Sequence, residues 1–86
     1  SGGEKRKTRL RIDFEEVEVV APLKSHALDA YRHYKVRDYS SLRKDANIYV
    51  IVAKVGEEGL NQIYFEPTEK MISLMKTKSP RKVMLY

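Results

Sequence analysis

Asn47-Ile48-Tyr49-Val50-Ile51-Val52-Ala53-Lys54-Val55, followed by Gly56-Glu57-Glu58-Gly59 and Leu60-Asn61-Gln62-Ile63-Tyr64-Phe65, is the stretch that decides the fold. The first run is β-branched and aromatic, the make-up of a strand. The glycines bracket a turn, and residues 60–65 read as the return strand of a hairpin. The first strand is apolar in both phases, with Ile48, Val50 and Val52 on one side and Tyr49, Ile51 and Ala53 on the other. A strand with that pattern is buried on both faces.

Toward the N-terminus, Leu10, Ile12 and Phe14 alternate with Arg9, Arg11 and Asp13, after which Val17 and Val19 take the opposite phase. A one-residue slip of this kind predicts a strand over residues 9–20 with a bulge near Glu15-Glu16. Pro22 is placed to open a helix. Leu23, Ala27, Ala30, Tyr31 and Tyr34 then share one side at helical spacing, and the helix ends near Lys35 or Val36. Residues 37–47 are polar and read as a loop with at most one helical turn. On the other side of the hairpin, Pro67 and Thr68 start a second helix with Met71, Ile72, Leu74 and Met75 as its apolar arc. Ser79-Pro80 stops it, and residues 81–86 form a final strand.

The order strand, helix, strand, strand, helix, strand predicts an α+β fold of the ferredoxin-like split βαβ kind (βαββαβ), a four-stranded sheet with two helices on one face. The first and third strands would be central and parallel, and the second sheet face would stand open. Ser1-Gly2-Gly3 reads as a cloning scar, so residues 1–8 are scar and basic tail, residues 9–86 are a single domain, and the chain is a fragment of a longer protein.

Composition narrows the function classes. Hydrophobic residues make up 42% and charged residues 34%, as in a folded globular domain. With no cysteine there are no disulfides, thiolate metal sites or cysteine nucleophiles, and the chain fits a reducing, intracellular compartment, cytoplasmic or nuclear. The run from Ile48 to Ala53 is too short to span a bilayer. No cofactor motif is present. His26, Asp29 and His33 share a strip of the first predicted helix, but three ligands from a single element make a poor metal site. The serines have no base beside them: Ser25 and His26 are helix neighbours that point about 100° apart. The expectation is a non-enzymatic binding module.

The Gly56-Glu57-Glu58-Gly59 spacing equals that of the KH-domain clamp, but here it joins two strands and its carboxylates repel phosphate, so it reads as a hairpin turn. The net charge of +5 is concentrated at the start, in Lys5, Arg6, Lys7, Arg9 and Arg11. On the predicted open face, Arg9 and Arg11 would lie beside Gln62 and Tyr64, cations for phosphate next to a ring for base stacking. Arg37 and Tyr39 add a cation and a ring from the loop. These residues predict nucleic-acid binding, to RNA or single-stranded DNA. The alternative is a protein-interaction or dimerisation domain that uses the apolar row of the second strand, with Tyr49 and Ile51 at the interface.

Overall fold

The computed structural model describes residues 11–41 and 43–86. Four strands, β1 (Val17–Pro22), β2 (Lys35–Asp38), β3 (Tyr49–Lys54) and β4 (Leu60–Phe65), form one mixed sheet in the order β1-β3-β4-β2. Among the described residues a single α-helix, α1 (Glu69–Lys78), follows the last strand. The architecture is α+β, as the sequence predicts, but it is not the ferredoxin-like arrangement of two helices on one face.

The hairpin of β3 and β4 is the expected one. The strands pair antiparallel from Tyr49 opposite Phe65 to Lys54 opposite Leu60. The chain reverses through a 3-10 turn at Gly56–Glu58, closed by the Val55 N–H on the Gly59 carbonyl at 2.9 Å. Gly59, at φ 86° and ψ −154°, holds a conformation almost confined to glycine. β3 is a central strand, not an edge, since β1 pairs antiparallel on its other side.

β1 is shorter than predicted and begins later. Asp13 caps a 3-10 turn at Phe14–Glu16 by accepting the Glu15 N–H, and the strand starts only at Val17. A slip occurs, but between Val17 and Val19 and not near Glu15-Glu16, where the chain forms the 3-10 turn. Val17 pairs with Ala53 and Val19 with Val52, so two steps along β1 match one along β3. Val17 and Val20 therefore enter one core cluster while Val19 and Ala21 enter the other.

The largest departure concerns residues 22–36. Pro22 does not open a helix; it is the last residue of β1, opposite Tyr49, at a strand end where its missing N–H is tolerated. The segment that follows is a 3-10 helix at His26–Tyr31, capped by Ser25, whose Oγ accepts the Ala27 N–H at 3.1 Å and donates to the Tyr86 carbonyl at 2.8 Å. A 3-10 helix repeats every three residues, so its inward row is Ser25, Leu28 and Tyr31. Ser25 and Leu28 are buried and Tyr31 half-buried, while Ala27 and Ala30, assigned inward at an α-helical period, are exposed. The Arg32 guanidinium folds back onto the carbonyls of Leu23 and Ser25 at 2.8 and 3.0 Å. The chain then becomes β2, which lies parallel to β4 where a helix end and loop were expected.

This segment lies against the second face of the sheet. α1 covers the first, where Ile72 joins Val17, Val20, Tyr49, Ala53 and Val83. On the second, Leu28 joins Val19, Ala21, Val50 and Val52. Both rows of β3 are thus covered by the same chain, and the face predicted to be open is closed.

α1 matches its expected bounds. Thr68 accepts the Met71 N–H at 3.1 Å as N-cap, and Ser79 donates its N–H to Met75 O at 2.9 Å at the other end. In place of a final strand there is an isolated parallel bridge of Val83 to Val20, flanked by Val20 N–H to Lys82 O and Met84 N–H to Val20 O. The Lys76 ammonium donates to the carbonyls of Pro80 and Val83, both at 2.9 Å, and so binds this segment to α1. No helix among the described residues is long and apolar enough to cross a membrane.

Candidate functional site

α1 is the place to look for a binding surface, because it is more apolar than its burial requires. Met71, Ile72, Leu74 and Met75 span an arc of about 160° at 3.6 residues per turn. Only Ile72 is buried; Met71 is 46% and Leu74 62% exposed. Beside this flank runs the segment that leads into β1. The Asp13 cap fixes the Phe14–Glu16 turn, and the Lys82 ammonium donates to Phe14 O at 3.1 Å while lying 5.9 Å from the centre of its ring. Phe14 is thereby held facing the helix.

Between the two lies an apolar groove of about 310 Å³, with walls of Ile12, Phe14, Leu74 and Met75, a floor of Val17 and Ile51, and Lys78 at one end. An adjoining cleft of about 540 Å³ shares Ile12, Phe14 and Lys78 and adds Asp13, Glu15, Ser79 and Lys82. Ile51, expected at an interface, is half-buried in the groove. Tyr49, expected beside it, is 6% exposed and packs in the core cluster that contains Ile72 and Val83. The two residues share a face of β3, but only Ile51 can be touched from outside.

Among the described residues, those expected to bind nucleic acid do not form one surface. Lys5, Arg6, Lys7 and Arg9 lie outside the described residues. Arg11 is exposed and immediately precedes Ile12 of the groove, on the β1 side of the sheet. Arg37 is on β2, at the opposite edge, with its Nε on Asn61 Oδ1 at 3.2 Å and its Nη2 on Glu58 Oε2 at 2.5 Å. The Tyr39 hydroxyl and the Glu58 carboxylate hold its pKa above the ordinary value. Tyr39 is 43% exposed and donates its N–H to the Tyr64 carbonyl at 2.9 Å. Tyr64 does face away from α1, as its alternation predicts, but its ring packs at the edge of the second core cluster. Gln62, predicted on the same open face, is 1% exposed beneath the 3-10 segment.

His26 and Asp29 pair at 3.1 Å, but His33 stacks on Tyr34 at 4.1 Å between ring centres, and no metal-binding group of three His, Cys, Asp or Glu side chains occurs among the described residues. Sequence reasoning placed Met71 and Leu74 in the apolar arc of the helix but did not pick them out as a binding surface. The available signal was the width of the arc, greater than a ten-residue helix on one sheet face can bury.

No curated protein and no solved structure matches the chain. One family model does, over residues 2–85, nearly the full length, and a PH-like domain agrees with an α+β sheet closed by one helix. By that match the chain belongs to the family of bacterial PH-like domains designated DUF6106.

Proposed function

We propose that this domain is a non-enzymatic protein-interaction module that receives its partner in the groove between α1 and the Ile12–Val17 segment. A single observation carries the reading: Leu74 is 62% exposed at the rim of a groove floored by Ile51. Single exposed leucines are ordinary, but this one is continuous with exposed Met71 and with half-buried Met75, Phe14 and Ile51. Contiguous apolar surface of this kind gains about 25 cal/mol for every Å² that a partner covers.

Nucleic-acid binding has weaker support. A stacking platform needs rings and cations on one accessible face. Here the Tyr64 ring is packed, Arg37 is engaged by Glu58 and Asn61, and Arg11 is at the other edge of the sheet.

The test is an NMR titration of isotope-labelled protein with a leucine-rich amphipathic helical peptide. Shift changes confined to Phe14, Ile51, Leu74 and Met75, and lost in Leu74→Asp without a change in melting temperature, are the expected result. Equal binding by Leu74→Asp would sink the reading. A single-stranded oligonucleotide that moves the Arg11, Tyr39 and Tyr64 resonances instead would favour nucleic acid.

A further inference from the structure

We infer that the segment this groove takes is an acidic amphipathic helix from another protein, with an apolar anchor between two carboxylates; the inference rests on the groove reading above. Lys70, Leu74 and Lys78 occupy positions i, i+4 and i+8 of α1 and are all exposed. The exposed leucine is thus flanked, one turn before and one turn after, by ammonium groups whose backbone positions lie about 12 Å apart along the axis. Neither lysine joins an ion pair among the described residues, and Lys78 also lines the groove. Asp13 and Glu15 line the adjoining cleft, where the Asp13 carboxylate is occupied by the Glu15 N–H.

The same two lysines argue against a second copy of this chain as the occupant. A two-fold contact centred on Leu74 sets Lys70 against Lys78 of the other copy if the helices run antiparallel. If they run parallel, it sets each lysine against its own equivalent. Both arrangements juxtapose like charges, which costs affinity. A nucleic-acid strand would neutralise the lysines but leave Leu74, Met75 and Ile51 without an apolar partner. A helix with leucine-type anchors at i, i+3 and i+4 and a glutamate one turn to either side satisfies both the groove and the lysines.

The test uses two designed helical peptides with the same leucine stripe, one flanked by glutamates and its twin by lysines, followed by fluorescence anisotropy. The wild-type protein should bind the glutamate peptide about tenfold more tightly than the twin, with the difference shrinking as salt is added. The double variant Lys70→Glu, Lys78→Glu should reverse that preference. Both positions are exposed, and an unchanged melting transition verifies the fold. Equal binding of the two peptides, lost in Leu74→Asp, would overturn the acidic partner while leaving the groove as a docking site. Binding of both that is indifferent to Leu74→Asp, or binding of neither, would overturn this inference and the groove reading together. A dimer in light scattering that Leu74→Asp disperses would assign the groove to a second copy instead. Displacement of the peptide by oligothymidylate would assign the lysines to phosphate.

Discussion

The side-chain amide of Gln62 donates to the backbone carbonyl of Tyr34 at 2.8 Å and so ties the central sheet to the segment that covers its second face. The same nitrogen reaches Arg32 O at 3.1 Å. Both carbonyls lie just past the end of the 3-10 helix, where the chain has left one hydrogen-bonding pattern and not yet entered β2. Gln62 is buried with its amide nitrogen shared between those two carbonyls, while its Oε1 finds no hydrogen-bond partner among the described residues.

Replacing Gln62 should therefore cost more than its polarity suggests. Gln62→Leu keeps most of the volume but takes the donor from two carbonyls, a loss of about 0.5–1.5 kcal/mol in chemical denaturation. Destabilisation well below that range would mean that the segment is held by apolar packing alone.

The three-residue period of residues 25–31 makes a separate prediction. Leu28→Ala removes a side chain with no exposed surface and should cost about 2–5 kcal/mol. Ala30→Ser, at a position that an α-helical reading puts in the core, should change stability by no more than about 0.5 kcal/mol. Thermal melts of the two variants distinguish the periods, since an α-helix would make Ala30→Ser the costly one.

Gly59 offers a backbone test free of steric crowding. A β-carbon built there meets nothing within 4 Å, so the cost of Gly59→Ala is conformational alone. At φ 86° it should reach about 1–3 kcal/mol, and denaturant midpoints will measure it.

Acid should loosen the chain that follows β2. Asp38 is held below its ordinary 3.8 by the hydroxyl and N–H of Ser40, and Glu66 below 4.5 by the N–H and hydroxyl of Ser41, with Arg43 assisting. A carboxylate with a depressed folded-state pKa stabilises the fold above its unfolded value and loses that contribution as pH falls through the folded value. Hydrogen-exchange protection of the Ser40 and Ser41 amides, corrected for intrinsic rates, should thus hold at pH above about 5 and fall at more acid pH. Glu66→Gln should remove the acid sensitivity of Ser41 and leave that of Ser40.

Local chemistry made some of this legible from sequence and non-local pairing hid the rest. The β3–β4 hairpin and α1 stood out because Gly56, Gly59, Thr68 and Pro80 punctuate them and their apolar patterns are unambiguous. A slip at β1 was legible but misplaced: the sequence puts it near Glu15-Glu16, whereas Phe14 and Val17 pack in the same cluster and the register breaks between Val17 and Val19. Residues 22–34 misled because Leu23, Ala27, Ala30, Tyr31 and Tyr34 fit a 3.6-residue period, whereas the inward residues follow a period of three. β2 was invisible: Lys35-Val36-Arg37-Asp38 has one apolar residue and is a strand only because β4 lies beside it. The double burial of β3 was read correctly, and the cover comes from α1 on one face and the 3-10 segment on the other. Of the described residues proposed to bind, Ile51 alone lines the groove, and the leucine at its rim was read only as part of the apolar arc of the helix.

The bridge between Val20 and Val83 bears on how the protein is made. β1 is made before α1, yet among the described residues its outer edge is completed by residues 82–84, which Lys76 of α1 holds in place. A nascent chain that has released β1, β3 and β4 still lacks both the helix for one core cluster and the residues that close the strand's free side. Pairings so distant in sequence make folding slow and late. Until residues 82–84 leave the ribosome, the valines of β1 remain exposed to other chains, and that interval is when a chaperone would matter most.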